Sequence, residues 1–532
     1  MSPMQTLAAA RASRLRTSHA TFSVVFSTAL FAVCNGLNLD KLTKWFRAGD
    51  GLDYSALLAY LLAGLCLFTV VFLLLAHRWT IKPLAMLLVA ASGAATYFIS
   101  KYDVAVDSSM VRNALHTDTT EVGQLLSPQM IPYALFLIAL PVLLIAWVDI
   151  GFAASGRYLL ASLKLVAVAL LVAAGALYAE YQAIFRAGNV SNKYIVYSLV
   201  PINVISGTMS VASKLVKPHR AAGAADTKIT GRVTAPDDLV VVLAVGEASR
   251  RKNFSAYGYR RRNTNPVLQG IGGLHLLNGL ARRGSTLYAL PEILESEGLK
   301  LPTVVSKLGI PTACYVNYTL YDNCTYPGET KVSACGHGGE CYDEDVIPLL
   351  ERNLAAYRSG YDFVVLHLGG GSHGPTYHDR HPPEFQKFEP MCRDADVANR
   401  CTIEELYNSY DNTILYVDHV LGEVIGRLER SAAPYVLIYL SDHGESLMEE
   451  GRMFHGMPPG MSLPAEQAEI PLIVKASVPI SIVERSAYSQ SDVFDTVLDL
   501  FSIRSPRFDL KGSFVKRRGG PVSAAAFRQA SR

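Results

Sequence analysis

Up to about residue 181 the chain alternates long apolar runs with short polar breaks, and beyond about residue 237 its apolar runs shorten to strand length. Five early runs, at about 19–37, 56–76, 82–100, 131–149 and 159–179, approach the ~20 residues that cross a bilayer as a helix. A single core helix can be this apolar; five in succession predict a five-helix transmembrane bundle over 1–181. Tyr194 to Ile205 is apolar but short and interrupted by Pro201, which predicts an interfacial helix and not a sixth span. Lys217 to Arg232 is basic and rich in Ala and Gly, as a linker is, so 182–232 is read as interfacial helix and linker. From 233 to 512 strands alternate with helical segments, the pattern of an α/β domain, and 513–532 is a basic tail.

The net charge of +3 averages two unlike parts, and no nucleic-acid partner is expected. Arg11, Arg14 and Arg16 precede the first run as in a signal peptide, but Val33 before Cys34 spoils a lipobox and no small-residue cleavage site follows. The run is therefore a retained helix. The positive-inside bias is weak. With the amino terminus inside, an odd number of spans places the large carboxyl-terminal part outside. Cysteine usage agrees. Cys34 and Cys66 lie in apolar runs, whereas Cys314, Cys324, Cys335, Cys341, Cys392 and Cys401 all lie in polar or Gly-rich loops. An even number in loops suggests three disulfides in an oxidising compartment, with neighbour pairing 314–324, 335–341 and 392–401 the simplest arrangement. A zinc cluster would favour C-x-x-C spacing, which is absent.

Three apolar, β-branched segments end in chemistry. Asp238 to Gly246 runs into Glu247, Tyr361 to Leu368 into Gly369-Gly-Gly-Ser-His373, and Tyr435 to Leu440 into Ser441-Asp442-His443-Gly444-Glu445. Ligands and catalytic groups of open α/β sheets gather outside the carboxyl ends of strands. Glu247, Asp442 and His443 form a mixed oxygen and nitrogen set suited to zinc or manganese. The plainer alternative makes Glu247 a helix cap and leaves His443 satisfying backbone groups. Gly284-Ser285-Thr286, at the mouth of a helical segment, can present a hydroxyl to a metal and to a phosphate at the helix amino terminus. The alternative there is a Ser/Thr helix cap.

These residues, with Tyr257-Gly-Tyr-Arg, Asn263-Thr-Asn-Pro266, Ser372-His373-Gly-Pro-Thr-Tyr377 and His455-Gly-Met-Pro458, fall in an order that resembles the bacterial phosphoethanolamine transferases over nearly the whole chain. The resemblance implies a five-helix transmembrane bundle plus an α/β periplasmic domain with a mixed, mostly parallel central sheet, alkaline phosphatase/sulfatase-like. It implies Zn2+ held by Glu247, Asp442, His443 and Thr286, with Thr286 also the nucleophile. His373 and His455 match histidines that contact phosphate or a second zinc. Asn113, Thr117 and Glu121, in the segment Met110 to Glu121, match residues that hold the lipid donor's head group. The implied reaction is a zinc-dependent transfer of phosphoethanolamine from phosphatidylethanolamine, through a covalent Thr286 intermediate, to lipopolysaccharide. The implied location is the bacterial inner membrane, with the catalytic domain in the periplasm.

The chain also departs from that pattern. Where many relatives flank the nucleophile with two cysteines, it carries Arg282 and Glu292, so packing or a salt bridge between these charges is expected to hold the segment. A substrate-binding Lys between close cysteines is replaced by Cys335-Gly-His337-Gly-Gly-Glu-Cys341. Acceptor specificity is expected to differ over 313–345, and an inner-core sugar is favoured mildly over lipid A phosphate. The rival enzyme reading is a sulfatase-fold glycerophosphate transferase or phosphatase acting on a periplasmic glycan. A sulfatase is disfavoured because no C-x-P-x-R sequence is present. A catalytically dead, metal-structured binding or sensor protein is the reading from another class.

Overall fold

The computed structural model describes residues 15–48, 51–116, 127–190, 194–216, 231–235, 237–317, 324, 330–333, 341–369, 371–457 and 461–518. The chain divides into two compact units, Met1–Val216 and Lys217–Arg532.

The first unit is helical: α1 (His19–Leu37), α2 (Tyr54–Leu75), α3 (Ile81–Tyr102), α4 (Ser108–His116), α5 (Met130–Trp147), α6 (Ser155–Ala179), α7 (Tyr181–Val190) and α8 (Ile202–Val216). Of these, α1, α2, α3, α5 and α6 are long and apolar enough to cross a membrane. Side-chain caps fix two starts: Ser18 accepts the Thr21 N–H and Asp53 the Ala56 N–H. Phe26 packs on Phe72 at 4.7 Å between ring centres and joins α1 to α2. Large apolar side chains such as Leu58, Leu74 and Leu171 face outward. That arrangement suits a hydrocarbon solvent, and the chain is a multi-pass membrane protein. Residues beyond 181, through α7 and α8, cluster with this bundle.

The second unit is built on an eight-stranded sheet. In chain order its elements are β1 (Leu239–Gly246), β2 (His275–Leu280), α9 (Thr286–Leu294), β3 (Thr312–Val316), β4 (Thr330–Ser333), β5 (Tyr361–Leu368), α10 (Ile403–Ser431), β6 (Tyr435–Ser441), β7 (Glu469–Ala476), β8 (Tyr488–Ser489) and α11 (Asp492–Leu500). The spatial order is β4-β3-β5-β1-β6-β7-β2-β8, and every strand is parallel to its neighbours except β7. The sheet is mixed and mostly parallel. The central strands β5, β1 and β6 are buried along their whole length, which explains their unbroken Val/Leu/Ile runs. Their register places Gly246 opposite both Leu368 and Ser441. The residues that follow, Gly369, Glu247 and Asp442, therefore emerge side by side at one sheet edge.

Disulfides join Cys314 to Cys324 and Cys392 to Cys401, and Cys341 is also disulfide-bonded. Cys335 and His337 lie outside the described residues. The start of the expected basic tail is structured: Val515–Arg517 pairs antiparallel with Ile480–Ile482, because Phe514 and Val515 are fully buried.

Candidate active site

Adjacent strand ends bring the acidic groups together. The Asp442 N–H donates to Gly246 O at 2.9 Å, and Asp442 Oδ1 accepts the N–H groups of Ala248 at 3.0 Å and His443 at 2.7 Å. Thr286, the first residue of α9, points its hydroxyl at Glu247, 2.9 Å from Oε2 and 3.2 Å from Oε1. Its Oγ1 is 3.4 Å from His443 Nε2. That nitrogen lies 3.2 Å from Asp442 Oδ2 and 3.4 Å from Glu247 Oε1. All four side chains are at most 5% exposed. His455 packs tilted against His443 at 4.1 Å between ring centres and His373 lies 4.9 Å from His455; His373 Nδ1 is 4.0 Å from Glu247 Oε1.

This is a costly arrangement without a cation. Burial, reinforced by the neighbouring Asp442 charge, pushes the Glu247 carboxyl well above its usual range, and burial holds the His443 imidazole below its own. Asp442 Oδ2 is buried and accepts no hydrogen bond from the described residues. His443 Nδ1–H donates to Gly444 O at 2.9 Å, which leaves the Nε2 lone pair facing the carboxylates. An orphaned carboxylate oxygen, a second carboxylate, an imidazole lone pair and a hydroxyl converging on one point fit a divalent metal. Among the described residues, the ligand atoms of Glu247, His443 and His455 also lie within 4.8 Å of one another, so His455 borders the same position.

Residues 64–216 match the family described as phosphoethanolamine transferase EptA/EptB, and residues 284–503 match the sulfatase family. The chain is 31% identical to phosphoethanolamine transferase EptA of Escherichia coli (strain K12), over 82% of this chain and 85% of that protein. It is 28% identical to phosphatidylethanolamine transferase Mcr-1 of Escherichia coli, over 94% and 98%. The integral membrane protein lipooligosaccharide phosphoethanolamine transferase A of Neisseria meningitidis superposes with a TM-score of 0.82 at 26% identity, covering 95% of this chain and 100% of that one. The chain belongs to the phosphoethanolamine transferase family.

Several side chains that hold this transferase's site together carry no role in the sequence reading. Glu445 is wholly buried. Its Oε2 accepts the His455 Nδ1–H at 2.7 Å, and its Oε1 accepts the Tyr377 hydroxyl at 2.9 Å and the Gly374 N–H at 3.3 Å. Burial pushes its carboxyl up to about 7. Gln490 bridges two walls: its Oε1 accepts the Arg282 N–H at 3.0 Å and its Nε2 donates to the Asp442 carbonyl. Asp343 accepts the Gly371 N–H at 3.1 Å and Ser372 N–H donates to Glu247 O at 2.9 Å, fixing the loop that leads to His373. Gly371 is obligatory there, because a Cβ would collide with the Glu247 backbone. The salt bridge expected between Arg282 and Glu292 is corrected: Glu292 Oε1 pairs with Arg283 Nε at 3.1 Å, while the Arg282 backbone is bound by Gln490. Of the head-group candidates, Asn113 lies in α4 by its backbone, and Thr117 and Glu121 lie outside the described residues.

Proposed function

We propose that this protein moves phosphoethanolamine from phosphatidylethanolamine to lipopolysaccharide, at an inner-core sugar or a lipid A phosphate, through a covalent intermediate on Thr286. The observation that carries the reading is the Thr286 hydroxyl aimed at Glu247 beside His443, at the first turn of α9. Glu247, Asp442, His443 and Thr286 would hold Zn2+, with His373 and His455 contacting the phosphoryl group or a second zinc. Bound there, zinc would acidify the threonine hydroxyl and offset phosphoryl charge.

The chain's own groups do the rest. Glu247 accepts the Thr286 proton as Oγ1 bonds to phosphorus and the bond to the diacylglycerol oxygen breaks. The amino terminus of α9, which Thr286 begins, would favour the anionic phosphoryl group. His455, held by Glu445 with its proton on Nδ1, faces the site through Nε2 and is the candidate to move protons at the leaving and attacking oxygens. In the second half the acceptor oxygen bonds to phosphorus and Thr286 Oγ1 leaves with a proton. Asn113, Thr117 and Glu121 are proposed to bind the donor head group. The disulfide-bonded cysteines and the membrane spans support a bacterial inner-membrane protein with this unit in the oxidising periplasm.

Mass spectrometry of lipopolysaccharide from a deletion strain complemented with wild-type or Thr286→Ala protein tests this. The expected result is a phosphoethanolamine mass on lipid A or core that returns only with the wild type, and a phosphoethanolamine adduct on Thr286 of the isolated wild-type protein. Restoration by Thr286→Ala would sink the covalent mechanism.

A further inference from the structure

The strand directions bring a further segment to the catalytic edge of the sheet. β7 runs antiparallel to both β6 and β2, so β2 ends at the same edge as β1 and β6. The loop from Ala281 to Ser285 leaves β2 there and delivers Thr286 to the site. Its backbone is fixed on both sides. The Ala281 N–H donates to Ala468 O at 2.8 Å, and the Arg282 N–H donates to Gln490 Oε1 at 3.0 Å, one side chain removed from the Asp442 carbonyl. Gly284 is so closely packed that a Cβ would come within 2.9 Å of Gln467 Oε1 and Leu463 Cδ2. Gln467 Nε2 in turn donates to Phe454 O at 3.2 Å, next to His455.

On this fixed loop the two arginines differ. Arg283 Nε is paired with Glu292 at 3.1 Å, and Arg251, after β1, is paired with Glu469 at 2.6 Å. The Arg282 side chain is exposed and makes no hydrogen bond or ion pair with the described residues. It stands four residues before Thr286 and outside the buried cluster of Glu247, Asp442, His443 and Thr286. Its charge has no counterpart in the donor. The donor phosphate is drawn into the buried cluster, and a guanidinium repels the ethanolammonium. A solvent-facing guanidinium suits a substrate with negative charge beyond the phosphorus under attack, because its planar N–H fork grips a phosphate or carboxylate in pairs. Of the two substrates, a phosphorylated or acidic glycolipid acceptor brings that charge.

We propose that Arg282 is a specificity residue for the acceptor, binding an anionic phosphate or sugar-acid carboxylate beside the accepting oxygen. The inference rests on the transfer proposed above and names the chemical class of its acceptor. Its test is steady-state transfer by the full-length, zinc-loaded protein in nanodiscs, with rough lipopolysaccharide (lipid A, Kdo and heptose) as acceptor. Arg282→Gln is expected to raise the acceptor KM about threefold and Arg282→Glu about tenfold, the scale of losing and of reversing one exposed charge. The kcat and the donor KM should stay within about twofold, which a disturbed Thr286 loop would not allow. Arg282→Lys should recover most of the loss, and high salt should shrink the wild-type advantage. Arg358→Gln removes an exposed charge just before β5, at the opposite sheet edge, and should leave the acceptor KM unchanged. The same lipopolysaccharide stripped of phosphate, added as a competing ligand, separates the two sources. If its inhibition constant rises in Arg282→Glu, the anion is a Kdo carboxylate; if not, it is a phosphate. An acceptor KM unmoved by Arg282→Glu, or a change matched by the donor KM, would overturn the proposal. Wild-type protein that transfers nothing to this acceptor ends the functional reading instead. Arg282 is then judged by binding of fluorescently labelled lipopolysaccharide, which Arg282→Glu should weaken; equal affinity would contradict its role.

Discussion

Glu445 Oε2 lies 2.7 Å from His455 Nδ1, and both groups flank the position where Glu247, His443 and Thr286 meet. The carboxylate fixes which imidazole nitrogen faces the site and holds the ring's orientation. Glu445→Gln keeps the size and loses the charge-assisted bond. Removing such an orienting partner is expected to lower kcat by roughly 10–100-fold. KM for the donor should stay within about twofold, because no donor contact is removed. An unchanged kcat in steady-state assays would show that the His455 orientation is held by other means.

Gln490 links the loop that carries Thr286 to the strand end that carries Asp442. In Gln490→Ala the Arg282 N–H and the buried Asp442 carbonyl each lose a partner, a cost of about 1–3 kcal/mol. The apparent unfolding temperature should fall accordingly. Gln490→Glu keeps the acceptor for Arg282 but places a carboxylate beside the Asp442 carbonyl, so it should lose more activity than its unfolding temperature alone accounts for. Thermal unfolding and kcat measured on the same preparations check both.

The apolar spacing made the five spans and the central strands legible, because a bilayer and a doubly covered sheet each demand long uninterrupted apolar runs. The strand-end rule then located Glu247, Asp442 and His443, which the register brings together. Gln490 was not legible. It follows a two-residue strand, and only the parallel pairing of β8 with β2 sets it beside Asp442. Glu445 lay within a quoted motif, yet nothing local announces that its carboxylate reaches His455. The Arg283–Glu292 pair shows the limit of reading by position: the expected partner was one residue away, because Gln490 captures the Arg282 backbone.

Asp362, the second residue of β5, predicts a pH dependence away from the site. Burial pushes its carboxyl up to about 6, and Oδ1 accepts no hydrogen bond from the described residues. With the folded value above the unfolded one, its contribution to stability is fully present below about pH 4 and lost as pH rises through about 6. Asp362→Asn should match the wild type near pH 4 and exceed it by roughly 1–3 kcal/mol at pH 8. Unfolding curves at the two pH values check this, and a variant less stable at pH 8 would contradict it.

Arg250 is wholly buried and joins the segment after β1 to the segment after β6. Its Nε donates to Asn253 Oδ1 at 2.6 Å, and its Nη1 donates to Glu449 Oε1 at 2.6 Å and to the Glu445 carbonyl at 3.2 Å. The guanidinium lies 5.2 Å from the Tyr407 ring centre and 5.3 Å from that of Tyr410. Lysine retains the charge but not the planar fork, so Arg250→Lys cannot satisfy Asn253, Glu449 and the Glu445 backbone together. Breaking a buried charge network of this kind costs about 3–5 kcal/mol. The expected outcome is a lower unfolding temperature together with lost transferase activity, since the Glu445 backbone that it anchors also sets His455. Adding Glu449→Ala to Arg250→Lys should cost less than the sum of the single changes, because both disrupt one network. A strictly additive double-mutant cycle would show that Arg250 acts through packing alone.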